Sequence, residues 1–220
     1  MARNKHPEQT VQKILDVSLQ LFNEKGYEKT TIADIIVALG MSKGAIYHHF
    51  KSKDDIIQAI CEQCYHQESM ISHITSDQSL NAIEKLKKML FSLITNEKKK
   101  DVDRLLTFDI QKNPIMFVSN MNHCLNDNAQ FLEGILEEGM KDGTIEKQDS
   151  KAAAQVLMLL LNFWIYSPLS GVDEEFLIKK VKYFRFLTDR IGILLIDDKL
   201  EALTIQYFKE LSKPNENDYQ

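Results

Sequence analysis

Apolar residues recur mostly at three- and four-residue spacing along this chain, a pattern typical of amphipathic helices. Only eight Gly and four Pro interrupt its 220 residues, and the sequence lacks the alternation expected of strands. The pattern therefore predicts an all-α fold. A first helix ends at Gly26, where a left-handed cap residue is expected. Its apolar stripe comprises Val11, Ile14, Ser18, Leu21 and Phe22.

Two short helices are predicted between residues 31 and 50. Thr31-x-x-Asp34 resembles a capping box and begins the second helix, which ends at Gly40. Ser42 can cap the third helix, in which Ile46 faces inward. Two short helices joined by a tight turn fit a helix-turn-helix, whose second helix can enter the roughly 12 Å wide major groove of B-DNA.

Longer helical segments fill the rest of the chain. A fourth helix, from Ser52 to about Ser72, is expected to join an N-terminal domain, residues 8–68, to a larger ligand-binding and dimerisation bundle, residues 76–212. A fifth helix in this bundle should end near a charged turn at residues 96–101. Further helices are predicted at about residues 128–141, 149–166, 173–196 and 199–211, before a frayed tail at 212–220.

Charge is distributed unevenly along the chain. The formal net charge is -5, which argues against a protein that coats nucleic acid through an overall positive field. Residues 1–55 nevertheless hold eight Lys or Arg against seven Asp or Glu, so the negative charge lies in the remainder. A polyanion should therefore prefer the N-terminal domain.

The sequence also predicts where in the cell the protein is located. Three cysteines, an odd number, without a secretory leader favour a reducing environment, so we expect a cytoplasmic protein. The longest apolar run, residues 152–169, contains Gln155, Asn162 and Pro168, which favours a buried helix over a membrane span.

Metal and enzyme chemistry are not expected. Cys61-x-x-Cys64 with His66, or His123 with Cys124, invites a zinc interpretation. The first two cysteines share an apolar helix face, however, from which the His66 side chain points away. Because Gly-rich phosphate loops and the motifs of hydrolases and zinc proteases are missing from the sequence, we predict no metal, no cofactor and no enzyme.

Several residues of the predicted helix-turn-helix could meet DNA. The third helix would present Lys43, Tyr47 and a pair of histidines outward, with Gly44 leaving room for a close approach. At the start of the fourth helix, Ser52 and Lys53 could form an anion site with backbone N–H groups, as Thr31 could at the second helix. A small helical bundle with solvated polar residues is the alternative.

Residues 10–60 resemble the TetR family of bacterial regulators. The resemblance is carried by Thr30-Thr-Ile-Ala-Asp-Ile-Ile and by Leu39-Gly-Met-Ser-Lys-Gly-Ala-Ile-Tyr-His-His-Phe-Lys-Ser-Lys. The segment Glu138-Gly-Met-Lys-Asp-Gly-Thr-Ile, with the helix after it, is similar to the ligand-domain pattern of that family.

This resemblance implies a role for each matched residue. Thr31, Ser42, Lys43, Tyr47, His49 and Lys53 would contact phosphates, Gly44 would allow close approach, and Ala45 and His48 would face base edges. The resemblance further implies two-fold dimers that bind operator DNA and are released from it by small apolar or amphipathic ligands.

The C-terminal bundle has material for both a ligand pocket and a dimer interface. A pocket needs apolar walls with few polar groups. Its candidate residues are Phe91, Phe108, Met116, Phe117, Met121, Phe131, Asn162, Trp164 and Tyr166, although ordinary core packing explains each of them as well. The helix at 149–167 is apolar nearly all round, so it should pack against a second copy together with the helix at 173–196.

The preferred interpretation is a ligand-responsive repressor, in which a population shift transmitted by the fourth helix respaces two recognition helices. A transcriptional activator of the same family remains open. So do a co-regulator that docks a protein through its N-terminal helices and an enzyme built in the C-terminal cavity.

Overall fold

The computed structural model describes residues 7–65, 68–108, 114–165 and 173–211. Across these ranges the chain forms twelve helices and no strand, which confirms the all-α prediction. The helices are α1 (Pro7–Lys25), α2 (Ile32–Leu39), α3 (Lys43–His49), α4 (Lys53–Tyr65), α5 (Glu68–Ser76), α6 (Ala82–Ile94), α7 (Glu97–Phe108), α8 (Pro114–His123), α9 (Ala129–Asp142), α10 (Ser150–Leu159), α11 (Glu174–Arg190) and α12 (Asp198–Leu211).

Helices α1 to α4 pack around one apolar core. Ile14, Phe22, Ile35, Ile46 and Ile57 are all fully buried in it. Each of these helices contributes at least one of the five residues, so the short α2 and α3 depend on packing rather than on their intrinsic helical stability.

Local signals set the ends of α2. The Thr31 hydroxyl accepts the Asp34 N–H while the Asp34 carboxylate accepts the Thr31 N–H, which completes the predicted capping box. Gly40 ends the helix in the left-handed conformation, with φ 61°, and its N–H donates to the carbonyls of Ile36 and Val37. Both predicted boundaries are confirmed.

The structure describes α4 as far as Tyr65 and α5 from Glu68 to Ser76. The predicted continuation of the fourth helix to about Ser72 passes through residues 66–67, which lie outside the described ranges. His66 therefore lies outside the structure, as do the side chains of Cys61 and Cys64.

The expected charged turn at residues 96–101 is wrong. Asn96 instead begins α7, because its side chain accepts the Lys99 N–H at 3.0 Å. Ion pairs between residues one helical turn apart, such as Lys100 with Glu97 at 2.6 Å, support this charged helix. Charge density alone therefore did not indicate a break.

A second core fills the C-terminal bundle. Helices α6 and α9 to α12 surround Leu136, Ala154, Val181, Phe184 and Ile193. An ion pair at 2.5 Å joins α6 to α9, between the buried Lys85 ammonium and the partly exposed Glu138 carboxylate.

Three helix boundaries in this bundle depart from expectation. Helix α9 continues α8 through a π-helical turn at Cys124–Asn128, and α10 passes into another at Leu160–Trp164. Helix α11 ends at Arg190, not at Ile196, because Gly192 adopts φ 71° and turns the chain. The predicted tail at 212–220 lies outside the described residues.

Helix α7 joins the two cores. It contacts α1 and α4 on one side and α6 and α12 on the other. Val102 of α7 is buried in the N-terminal core, and the Lys98 ammonium binds the Asp16 carboxylate of α1 at 2.8 Å. The two parts of the molecule therefore share a packed seam.

Candidate nucleic-acid interface and cavity

Helix α3 presents most of its surface outward. Ile46 is its buried residue, fully enclosed by the N-terminal core. The Ser42 hydroxyl caps the helix by accepting the Ala45 N–H at 3.3 Å, and the Phe50 N–H closes it on the Ile46 carbonyl at 2.9 Å. A seven-residue helix held by one buried side chain and two ends leaves its remaining face for a partner.

The exposed face of α3 carries cations and aromatic rings. The Lys43 ammonium lies 5.7 Å from the centre of the Tyr47 ring, and the rings of His48 and His49 pack edge to face at 5.1 Å. Lys43, Tyr47 and His48 are exposed, whereas Ala45 and His49 are half-buried. Lys43, Tyr47 and the two rings can donate to phosphate or base acceptors.

Gly44 has no packing reason to be glycine. A Cβ built on it would meet no atom within 4 Å, and its backbone does not require a positive φ. The bare backbone at this exposed position therefore gives an external partner close access to α3.

Thr31 is exposed at the start of α2, where its hydroxyl already has a partner. It donates to the Asp34 carboxylate at 2.6 Å, and the Lys25 ammonium binds the same carboxylate at 3.0 Å. The Thr31 hydroxyl, and next the Lys25 ammonium, hold the pKa of Asp34 well below its usual range. A phosphate at the start of α2 would therefore lie beside the Asp34 carboxylate, which already accepts the Thr31 N–H and hydroxyl.

The start of α4 is likewise capped from within. The Ser52 hydroxyl donates to the Asp55 carboxylate at 2.9 Å, and the Lys51 N–H donates to the same group at 2.9 Å. The Lys53 ammonium reaches across to the Tyr27 carbonyl at 2.5 Å and lies 4.1 Å from the Tyr27 ring centre. The same ammonium lies 3.4 Å from the Glu28 carbonyl, and because it has three N–H donors, Lys53 can contact a phosphate while it keeps the Tyr27 carbonyl.

Tyr27 is a positioning residue that the sequence analysis missed. Its side chain is buried, its hydroxyl donates to the Asp54 carboxylate, and its ring packs edge to face on Phe22 at 5.1 Å. Together with Lys53, it links the α1–α2 turn to the start of α4. An aromatic residue directly after the helix-ending Gly26 was the available signal.

Val37 is a second missed residue. It lies on α2 with 80% of its surface exposed, the largest exposed fraction among the exposed large apolar residues of the described chain. A wholly exposed valine next to a helix-turn-helix could touch a thymine methyl group or a sugar.

A cavity of about 270 Å³ lies in the C-terminal bundle. This volume is near the lower end of the roughly 300–1,000 Å³ typical of ligand pockets. The cavity is bounded by residues of α5 to α10 and α12, of the two π-helical turns and of the segment after α11: Ile71, Leu86, Met89, Leu90, Leu93, Ile94, Lys99, Asp103, Asn120, Asn128, Phe131, Leu132, Leu157, Met158, Leu161, Asn162, Leu195, Thr204, Tyr207, Phe208 and Leu211.

Two of the predicted pocket residues line this cavity, Phe131 and Asn162. Asn162 is exposed rather than buried, and its amide donates to the Met158 carbonyl at 2.9 Å. Other candidates lie elsewhere: the Phe117 ring packs on Phe163 at 5.6 Å, and the Trp164 ring is 6.2 Å from that of Tyr183.

The remaining pocket candidates divide into two groups. Phe91 is exposed beneath the Lys199 ammonium, 5.0 Å from its ring centre, and Met121 is half-buried outside the cavity lining. Tyr166 and the side chains of Phe108 and Met116 lie outside the described residues.

One end of the cavity is polar. The Asp103 carboxylate accepts both the Lys99 ammonium and the Tyr207 hydroxyl. Burial, together with the neighbouring Asp103 charge, raises the pKa of Tyr207 far above its usual range, so its hydroxyl stays a neutral donor. None of these three residues was predicted from the sequence. Lys99 and Asp103 lie in α7, a helix that the apolar spacing did not indicate.

Helix α11 exposes a row of aromatic side chains. Phe176, Tyr183 and Phe186 each have about half of their surface open, and Val156 of α10 is equally exposed. Large apolar residues clustered on one helix face of a folded chain mark a surface made for association.

Metal ligation finds no support in the described ranges. No group of three or more His, Cys, Asp or Glu side chains there could hold an ion. Burial raises the pKa of the Cys124 thiol to about 11, and its sulfur lies 3.7 Å from the Met158 carbonyl. Among the described helices, none has the length and apolar character that crossing a membrane requires.

Comparison with known families and sequences points to one group of proteins. Residues 14–60 match a family described as bacterial regulatory proteins, tetR family. The biofilm operon icaADBC HTH-type negative transcriptional regulator IcaR of Staphylococcus aureus (strain Newman) is 26% identical over 167 residues, which cover 74% of this chain and 88% of IcaR. The uncharacterized HTH-type transcriptional regulator YvaF of Bacillus subtilis (strain 168) is 33% identical over 126 residues, 51% of this chain and 66% of YvaF.

Solved structures share the fold. Salmonella enterica GusR superposes with a TM-score of 0.65 at 19% identity, covering 96% of this chain and 99% of GusR. The TetR family protein CprB from Streptomyces coelicolor, solved in complex with its biological operator sequence, superposes with a TM-score of 0.56 at 18% identity, covering 94% of this chain and 98% of CprB.

Proposed function

Because this chain belongs to the TetR family of bacterial regulatory proteins, we propose that it is a homodimeric transcriptional repressor released from its operator by a small molecule. One observation carries the proposal: α3 holds a single buried residue, Ile46, and turns Lys43, Tyr47 and His48 outward. A cation, a hydroxyl and an imidazole on one exposed helix suit a partner that carries phosphates and base acceptors.

Within this proposal, the residues of the interface divide by the part of the DNA they contact. Lys43, Tyr47 and His49 bind phosphates, since they supply a cation, a hydroxyl and a ring N–H. Ala45 and His48 face base edges in the major groove, where an apolar contact and a donor can distinguish bases. Thr31, Ser42 and Lys53 flank the groove and bind phosphate. The Thr31 hydroxyl has to release the Asp34 carboxylate first, whereas Ser42 and Lys53 can donate while they keep their internal bonds.

Repression rather than activation is supported by the S. aureus relative, which is described as a negative transcriptional regulator. Family membership also argues against an enzyme, because the family consists of transcriptional regulators. The alternative of an activator is an outcome of the test below.

Dimerisation is supported by the aromatic row of α11. Phe176, Tyr183 and Phe186 of α11 are exposed, as is Val156 of α10, and a second copy that buries these residues would form a two-fold interface. The predicted segments 149–167 and 173–196 contain all four residues. Two-fold symmetry would place two α3 helices on successive turns of the operator.

Within this proposal, α7 and α4 both transmit the structural effect of ligand binding to the DNA-binding domain. Lys99 and Asp103 of α7 line the cavity, whereas Lys98 and Val102 of the same helix bind the N-terminal domain. A ligand that moved α7 would therefore disturb the seam with α1 and α4. This supports a population shift in which the liganded form spaces its recognition helices wrongly for the operator.

Selection of DNA from a random library by the purified full-length protein tests the proposal. Enrichment of a sequence with two-fold symmetry is expected, because a symmetric dimer reads two equivalent half-sites. A library without any enriched sequence at low ionic strength would overturn it and favour a docked protein partner.

A reporter separates repression from activation. The selected operator is placed over a promoter, and expression is compared with and without the regulator. Lower expression supports the proposal, whereas higher expression would identify an activator.

A further inference from the structure

The cavity contains a buried hydroxyl without a partner. Thr204 of α12 belongs to the cavity lining and is 1% exposed, and its Oγ1 atom has no hydrogen-bond partner among the described residues. An unpaired buried hydroxyl is costly, so most buried hydroxyls in proteins are bonded. Since a threonine hydroxyl can both donate and accept, a ligand group with either property would satisfy it.

The polar end of the cavity is electrically balanced. Lys99 and Asp103 are the two charged residues of the lining, and they are paired with each other. The Tyr207 hydroxyl donates to the same Asp103 oxygen as Lys99 does. A charged ligand would have to break this pair or lie unpaired beside it, which a largely apolar site opposes.

The rest of the lining is dominated by aliphatic and aromatic side chains, among them Leu90, Leu132, Leu161 and Phe208. The volume of about 270 Å³ exceeds the roughly 150 Å³ of an engineered apolar cavity that holds benzene. A body of one or two rings, or a chain of similar bulk, therefore fits.

From these observations we infer that the effector is an uncharged amphipathic molecule, whose apolar body fills the cavity and whose hydrogen-bonding group binds Thr204 beside Tyr207. This inference rests on the proposed function, because it names the chemical class of the proposed effector. Measurements of probe binding to the protein without DNA nevertheless test this inference separately from the proposed repressor function.

Four probes that share a naphthalene ring system test whether the cavity prefers an uncharged ligand with a hydrogen-bonding group. They are 2-naphthol, naphthalene, 2-naphthoate and protonated 2-naphthylmethylamine, each equilibrated by dialysis at pH 7 with the full-length protein. We expect 2-naphthol to bind at least about tenfold more tightly than the other three, because a site built around a polar partner discriminates against analogues that lack it. Equal binding of naphthalene, tighter binding of either ion, or no binding of any probe would overturn the inference.

Substitution of Thr204 tests whether its hydroxyl is the group that recognises 2-naphthol. Thr204→Val keeps the shape of the side chain and should lower 2-naphthol affinity about tenfold while leaving naphthalene affinity unchanged. The matched control is Thr188→Val, another buried threonine, whose hydroxyl donates to the Arg185 carbonyl at 2.9 Å away from the cavity. An equal effect of both variants would contradict the assignment.

A second variant serves if Thr204→Val does not fold. Tyr207→Phe retains the ring and should also reduce the preference for 2-naphthol, because it removes the neighbouring hydroxyl oxygen, which can accept a hydrogen bond from the ligand while its own hydrogen is donated to Asp103. An unchanged preference would overturn the inference. Operator selection is independent of these measurements, so failure here would leave the DNA-binding proposal standing, and the reverse also holds.

Discussion

Val102 and Asp103 are neighbours in α7 but belong to different parts of the molecule. Val102 is 1% exposed in the core formed by α1 to α4, whereas Asp103 lines the cavity of the C-terminal bundle and accepts the Tyr207 hydroxyl. One turn of helix therefore connects the proposed effector site to the DNA-binding domain.

Truncation of Val102 should weaken this seam. Val102→Ala is expected to lower the free energy of unfolding by about 2 kcal/mol, since it removes two buried methyl groups and leaves a cavity. Urea denaturation measures the change. Val118→Ala, at a half-exposed valine of α8, is the control and should shift it by less than about 0.5 kcal/mol. Similar losses in both variants would contradict a packed seam.

The Lys53 ammonium should bind a phosphate of the DNA. Lys53→Met is expected to weaken binding to all duplexes and to reduce the slope of log affinity against log salt by about 0.9, the contribution of one phosphate contact. Fluorescence anisotropy at several salt concentrations measures the slope. Lys88→Met, at an exposed lysine of α6, should leave it unchanged. An unaltered slope in Lys53→Met would mean that this lysine keeps its internal role on DNA.

His48 and Lys43 should differ in what they recognise. His48→Ala is expected to relax the preference for the selected operator over a single-base variant by about 1–3 kcal/mol, because it removes a base contact. Lys43→Ala, the matched change one turn earlier, should weaken both duplexes equally. Competition binding with the two duplexes distinguishes these patterns, and a uniform loss in both variants would refute the base contact assigned to His48.

Acid should loosen the cap of α2. The pKa of Asp34 is held low in the folded chain, by the Thr31 hydroxyl first and the Lys25 ammonium next. Its contribution to stability is therefore present above the unfolded-state pKa of about 3.9 and is lost as the pH falls towards the folded-state value. The stability difference between the natural chain and Asp34→Asn should shrink from pH 5 to pH 2.

Urea denaturation at several pH values checks this prediction. Asp189→Asn, at an exposed carboxylate of α11, controls for the loss of one charge. A difference between the natural chain and Asp34→Asn that is constant over this range would show that the charge of Asp34 contributes nothing to folding.

A charge in the aromatic row of α11 should separate the subunits. Phe186→Glu is expected to produce monomers in sedimentation velocity and to reduce operator affinity, because a buried unpaired carboxylate is strongly unfavourable at an interface. Val118→Glu makes the same kind of change at another exposed apolar residue and should remain dimeric. A dimeric Phe186→Glu variant would place the interface elsewhere.

The helix-turn-helix could be derived from the sequence because its signals are local. Thr31 and Ser42 cap helices through side chains three residues from their partners, and Gly40 ends α2 through its own backbone conformation. Such interactions involve neighbours in the chain, so residue type and spacing are sufficient to indicate them.

The cavity depends on packing instead. Thr204, Asp103 and Leu90 line one space although α12 is distant in sequence from α6 and α7, whereas Phe91, adjacent to Leu90, lies outside it. The spacing of apolar residues indicates which side of each helix faces inward. It does not show which of these sides meet around a cavity. The sequence therefore determined the helix-turn-helix, whose signals are local, while the tertiary structure decided which residues surround the cavity, because close packing fixes contacts between helices only when all of them are in place.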